Sequence, residues 1–277
     1  MPGENLARSR QEEEDEDDST TDLSPSRAST HPSASLTVPF SVIAQGAEAV
    51  LYRTTMFDGQ AVVIKERFRK QYRLPELDEQ LTRTRMTAEA RATAKAWRLS
   101  GVHVPALYLV DWQRRWLVFE YIEGPTLRTW LEGEGSERRA RIPEAAAPVL
   151  RQVGEAVSTL HAADWIHGDL TSSNVLIRRS GSNDGWGEDA HELQAVLIDL
   201  GLAFCSSSCN EHHVEDKAVD LYVLERAFRS AHATHADAYT AIVWQAYAQH
   251  SRPQDARAVQ KRLELVRQRG RKRTMVG

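Results

Sequence analysis

The run His167-Gly168-Asp169-Leu170-Thr171-Ser172-Ser173-Asn174, followed by a short strand, a polar loop and Leu197-Ile198-Asp199-Leu200-Gly201, constrains this chain more than any other feature. Asp169 supplies an acidic group that can sit beside an attacking hydroxyl or water. Asn174, five residues on, and Asp199, just after the next strand, supply an amide and a carboxylate, both hard oxygen donors suited to magnesium rather than to a soft metal. Held on two adjoining turns, the three meet the needs of phosphoryl transfer, whose loose transition state is stabilised mainly by positioning and charge.

The pattern resembles the H-R-D-x-x-x-x-N catalytic loop and D-F-G motif of protein kinases, with Gly168 in place of the arginine, Leu200 in place of the phenylalanine and Thr171 where many of them have lysine. In kinases that arginine answers a phosphorylated activation loop, so its absence implies a site that is not switched in that way. Upstream, Ala61-Val62-Val63-Ile64-Lys65 is an apolar, β-branched run ending in lysine, as on the third kinase strand, and Lys65 is the expected phosphate contact. A glutamate partner should come from the helical segment Pro75 to Leu99, which offers Glu76, Glu79 and Glu89. Distance from Lys65 favours Glu89, with Glu79 as the alternative. Before Lys65, Ile43 to Val50 stands where a glycine-rich loop should cover the phosphates, with Gly46 and Ala47 at its tip, yet it holds a single glycine. Leu117 to Gly124 matches the fifth strand and hinge, where backbone groups of Glu120 and Ile122 would meet an adenine edge and side-chain identity should matter little.

The length of 277 residues and a hydrophobic content of 41% allow one sizeable core. This is somewhat above the usual single-domain size of ~100–200 residues. No run approaches the ~18 apolar residues of a membrane span, so no membrane partner is expected. The net charge of −4 conceals an asymmetry: residues 1–36 carry 9 acids and 3 bases, and the remainder carries 30 acids and 32 bases. The leader, with an unbroken acidic block from Glu12 to Asp18, should be disordered. At the other end, eight Lys and Arg residues from Arg257 to Arg273 face only Glu264, a tail suited to nucleic-acid phosphates or an acidic partner. Cys205 and Cys209 are too few for a disulfide framework and argue for a reducing compartment. Although His212 and His213 follow, the Cys-Ser-Ser-Ser-Cys spacing suits free loop thiols better than zinc.

Short β-branched runs between Val38 and Gly124, broken by one helical segment, predict an antiparallel sheet with one helix. Val149, Val153, Val157 and Leu160 recur at helical spacing, as do Leu221, Leu224 and Phe228, so a mostly helical second lobe follows. Gly181 to Glu192 reads as an expanded, mobile hairpin loop. Only 76 residues follow Gly201, and the chain reaches Glu215 to Phe228 without a long activation segment, so a peptide-docking platform is reduced. The fold class expected is α+β and bilobal, protein-kinase-like. Its divisions are a disordered acidic leader (1–36), an N-lobe with hinge (37–124), a reduced helical C-lobe (125–266) and a basic tail (267–277).

Lys65 to Arg73 with Pro75-Glu76-Leu77-Asp78, the His167 to Asn174 loop, Glu215 to Phe228 and Arg267 to Arg273 together resemble the small atypical kinase subunit of the KEOPS (EKC) complex. The resemblance runs from about Phe40 to Gly277. It implies ATP and Mg2+ as cofactors, with Asp169 as base or water-positioning group, Asn174 and Asp199 on the metal, Lys65 on the phosphates and Asp220 bracing the catalytic loop. It also implies serine/threonine kinase and ATPase activity beside a threonylcarbamoyl transferase subunit and other KEOPS subunits. That assembly makes threonylcarbamoyladenosine in tRNA, which the basic tail would help to bind, in cytoplasm and nucleus. A free-standing protein or small-molecule kinase and a non-catalytic scaffold are the alternatives.

Overall fold

The computed structural model describes residues 40–274 apart from 47, 57, 134–140, 142, 180–192 and 208–211, with side chains as far as Gly270. The acidic leader, Ala47, the 181–192 loop and Cys209 therefore lie outside the described residues.

Strands β1 (Ser41–Gln45), β2 (Val50–Thr55), β3 (Ala61–Glu66), β4 (Leu107–Asp111) and β5 (Trp116–Glu120) form an antiparallel sheet in the order β1-β2-β3-β5-β4. Lys65 sits on the central strand, opposite Leu51 on one side and Leu117 on the other. Strand alternation separates it from Val62 and Ile64, which join Val118 in a small apolar cluster. Helix α1 (Pro75–Ala96) begins with proline, a residue whose fixed φ suits a first helical position, and carries Glu76 and Asp78 in its first turn and Lys95 in its last. Its buried Met86, Glu89, Thr93 and Ala96 recur every three or four residues, so one carboxylate lies within the buried stripe.

The second lobe contains α2 (Leu127–Glu132), α3 (Pro143–Ala162), β6 (Trp165–Ile166), β7 (Val175–Arg179), β8 (Leu193–Leu197), β9 (Phe204–Cys205), α4 (His213–Ala231), α5 (Ala236–His250) and α6 (Pro253–Thr274). The expected stripe on α3 is fully buried, and it shares one core with Leu221, Leu224 and Phe228 of α4 and Tyr239, Val243 and Tyr247 of α5. Each such side chain removed from water contributes roughly 1.5–3 kcal/mol, which makes this helical block the rigid base of the site. The β7–β8 hairpin pairs Val175 with Leu197, and the Ile198 amide donates to the Asn174 carbonyl at 3.0 Å. That register places Asn174 and Asp199 side by side at the open end of the hairpin.

The bilobal α+β expectation is met, but the basic C-terminal stretch differs from a free tail beginning at residue 267. Helix α6 runs unbroken through that point, with Ala256, Val259, Leu263 and Val266 buried at helical spacing. Glutamates of α4 pair with three bases of α6: Arg267 bonds Glu225 at 2.8 Å, Arg262 lies 3.3 Å from Glu215, and Arg269 also reaches Glu215. Among the described residues no helix is long and apolar enough to cross a membrane.

Candidate active site

Lys65 ends in two carboxylates, Glu89 at 2.6 Å and Asp199 at 2.8 Å. Of the three glutamates offered by the sequence, Glu89 is thus the one that reaches Lys65. Glu79 instead meets Arg115, whose guanidinium also bonds Asp78 at 2.7 Å and fixes the start of α1. The Glu89 side chain is almost wholly buried, and its second oxygen accepts from Arg67 at 2.9 Å. Asp199 has about half of its side chain exposed (48%) and adopts a left-handed conformation with φ 56°. Burial pushes its carboxyl up, but the Lys65 ammonium beside it and the Gly201 amide hold it below the ordinary carboxylate range.

Asn174 donates its side-chain amide to both the Asp169 carbonyl, at 2.9 Å, and the Asp169 carboxylate, at 3.0 Å. With both N–H groups committed, the amide oxygen is the part of Asn174 left for a ligand. Asp199 likewise spends one oxygen on Lys65 and Gly201. Its other oxygen has no protein partner among the described residues. An amide oxygen, a free carboxylate oxygen and a lysine ammonium, grouped on one side of Asp169, fit a magnesium-bound polyphosphate.

The catalytic loop is fixed from below by Asp220 on α4. Its carboxylate accepts from the amides of His167, at 2.9 Å, and Gly168, at 3.0 Å, and from the His161 ring at 3.2 Å. Burial alone would raise the Asp220 carboxyl, but these donors hold it below its ordinary value. The bracing role expected of Asp220 thus has a geometry. Gly168 explains the missing arginine: its φ is +82°, and a Cβ there would lie 2.2 Å from the Leu202 carbonyl oxygen. The segment after Asp199 closes onto the loop at this point. Strand β9 pairs with β6, the Ser206 amide donates to the Asp164 carbonyl at 2.8 Å, and the Ser206 hydroxyl donates to Asp216 at 2.6 Å. Short pairing with α4 and β6 therefore orders what an arginine–phosphate contact orders elsewhere. Cys205 lies exposed on this strand as a free thiol.

At the hinge, the Glu120 amide is donated to Ala106 at 2.8 Å, which leaves its carbonyl as the backbone group Glu120 can offer. Ile122 is buried, and its amide makes no backbone hydrogen bond among the described residues. Contrary to expectation, the Glu120 side chain matters: it accepts from Arg178 of β7 at 2.9 Å and from the Ala106 amide at 3.1 Å, tying hinge to C-lobe. Gly46 sits in the β1–β2 turn, where its amide donates to Ala49 at 2.9 Å. Sequence reading missed Arg67 and Glu48 as site residues. Strand alternation held the signal for Arg67, since residues 65 and 67 fall on one face.

The protein kinase domain model matches residues 40–242. The chain is 40% identical over 270 residues to the EKC/KEOPS complex subunit BUD32 of Chaetomium globosum, covering 91% of this chain and 96% of the relative. It is 39% identical over 237 residues to the EKC/KEOPS complex subunit Tp53rkb of Mus musculus, covering 85% and 88%. Among solved structures, the Rio2 kinase of Chaetomium thermophilum, in its ADP/Mg2+-phosphoaspartate complex, shares the fold. The TM-score is 0.53 and the identity 17%, over 83% of this chain and 71% of that one. The chain belongs to the protein kinase domain family and, within it, to the family of the EKC/KEOPS complex subunit BUD32.

Proposed function

We propose that the chain binds Mg-ATP and acts as an atypical serine/threonine kinase and ATPase, working inside a KEOPS assembly that forms threonylcarbamoyladenosine in tRNA. The observation that carries this is Lys65 held between Glu89 and Asp199 while Asn174 is locked onto Asp169. Lys65 takes the phosphates, and Asn174 and Asp199 hold magnesium, which would neutralise charge on the transferring group. Asp169 orients the attacking hydroxyl or water. The Glu120 carbonyl and Ile122 amide receive the adenine edge. The relatives' naming as complex subunits supports the assembly and its other subunits as partners; the same proposal includes the transferase subunit among them and a location in cytoplasm and nucleus. The short segment between Gly201 and α4 speaks against a free peptide kinase, because it leaves little platform for an extended substrate.

The test is phosphate release and phosphoryl transfer from labelled ATP by the chain alone, by the chain with the transferase subunit and tRNA, and by Asp169→Ala in each setting. Release stimulated by partner and tRNA and lost in the variant supports the reading. Strong transfer to a protein acceptor without partners favours the free kinase, and ATP binding without turnover in any arm favours a scaffold. For tRNA, Arg267 and Arg269 are already paired with α4, so phosphate contact falls to Arg271, Lys272 and Arg273. Replacing these three by serine should weaken tRNA binding by the assembled complex and flatten its salt dependence by up to about three units of log–log slope; an unchanged slope would remove the tail from the interface.

A further inference from the structure

The turn expected to cover the phosphates has one glycine, and Gly46 does not use it for a left-handed conformation. Gly-rich loops mould their amides around phosphate through such freedom. This turn is instead held by charge. Glu48, immediately after its tip, accepts from Arg85 of α1 and from Arg67 at 3.4 Å. Arg67 passes to Glu89 at 2.9 Å, Glu89 to Lys65 at 2.6 Å, and Lys65 to Asp199 at 2.8 Å. An unbroken alternation of cation and anion therefore joins the turn, α1, β3 and the metal-side carboxylate.

We propose that Glu48 is a positioning residue that orders the β1–β2 turn for the nucleotide phosphates, doing by ion pairing what repeated glycines do in loops of this type. The proposal rests on the nucleotide-site reading above. A lone exposed ion pair would be too weak for this, and Glu48 is 42% exposed on its side chain. Two features strengthen the tether. The carboxylate is shared by two guanidiniums, one of which, Arg67, is almost buried at 7%. Among the described residues, loss of Glu48 also leaves Arg67 with Glu89 as its one remaining ion-paired carboxylate, in competition with Lys65. Partial burial pushes the Glu48 carboxyl up, but Arg85, Arg67 and Lys70 together hold it below its ordinary value, so it stays charged at neutral pH.

The test measures binding of Mg-ATP and of adenosine to the full chain by titration calorimetry for the unaltered protein, Glu48→Gln, Arg85→Ala and the double variant. Expected are a dissociation constant for Mg-ATP raised about three- to tenfold in each single variant, an unchanged value for adenosine, and a double variant no weaker than the worse single one. Unchanged or tighter Mg-ATP binding in Glu48→Gln overturns the proposal, as does an equal weakening for adenosine, which marks a merely structural role. If the unaltered chain binds adenosine and Mg-ATP equally, or binds neither, the phosphate-site reading itself fails and the tether with it; Mg-ATP-selective binding that Glu48→Gln leaves untouched refutes the tether alone.

Discussion

Glu89 has both carboxylate oxygens engaged by cations, Lys65 and Arg67, in a nearly solvent-free position. Removing one partner of a buried pair costs roughly 3–5 kcal/mol when it leaves a charge uncompensated. Here each cation keeps a second carboxylate, Asp199 for Lys65 and Glu48 for Arg67, so Glu89→Ala should cost less, roughly 2–3 kcal/mol. Catalysis should suffer more, because Lys65 loses its direction, and a misplaced contact can cost about 10²-fold. Urea unfolding read beside ATP turnover separates the two effects. Gly168 gives a prediction of opposite character: restoring the usual kinase arginine should harm the protein. Gly168→Arg forces a left-handed conformation, worth about 1–3 kcal/mol of strain, and must also relieve the 2.2 Å approach to Leu202. A lowered denaturation midpoint is expected, and an unchanged one would mean that the β9 segment yields freely. The sequence showed that the arginine was gone. It could not show why, since the reason is a carbonyl 34 residues away in sequence.

Helices α3 and α5 cross with Gly154 at the contact, where a Cβ would stand 2.4 Å from the Val243 carbonyl oxygen. Helix propensity alone favours alanine over glycine by about 1 kcal/mol. Overpacking at so close an approach costs typically 1–3 kcal/mol, so packing should win and Gly154→Ala should lower the melting temperature, as calorimetry would register. A rise would mean that α5 can shift outward without loss. The neighbouring valines at positions 149, 153 and 157 were legible because a buried stripe leaves its period in the sequence, and β3 was legible because β-branched residues ran up to Lys65. Helix α6 was obscured by charge: arginines and lysines at every turn outweighed Ala256, Val259, Leu263 and Val266, although these also repeat every three or four residues. Its acidic partners, Glu215 and Glu225, lie on α4, and only tertiary contact shows that they meet. The same limit applies at the site. Lys65, Asp169, Asn174 and Asp199 could be read from spacing, whereas the Glu48–Arg67–Glu89 chain needed the sheet and α1 brought together.

Across the whole molecule, folding holds several ionisable groups in one protonation state, and this sets how stability must vary with pH. Complete burial lowers the His161 pKa despite the neighbouring Asp220 carboxylate, and burial lowers those of His232 and His103 too. Unfolded histidines titrate near ~6.5. Below that value the unfolded chain takes up protons that the folded chain refuses, so stability is complete above about pH 6.5 and falls as pH drops toward the folded values. Asp78, held below its ordinary value chiefly by the hydrogen bond from Arg115, behaves alike in a lower window: its contribution is full above about pH 4 and is lost as the pH falls through its folded value. The two windows are separable. His161 alone should lose about 1.4 kcal/mol of stabilisation for each pH unit between its unfolded and folded values. It sits between Asp220, at 3.2 Å, and the Tyr247 hydroxyl, at 3.1 Å, and glutamine can replace its donated hydrogen bond without titrating. Unfolding free energies at pH 7.5 and 5.5 should therefore differ in the unaltered chain, and by less in His161→Gln. Because the comparison is of slopes, any uniform loss of stability in the variant cancels. An equal slope would mean that folding leaves the proton affinity of His161 unchanged, and a steeper loss in the variant would mean that His161 carries a proton in the folded protein, making its contact with Asp220 a buried ion pair rather than a neutral hydrogen bond.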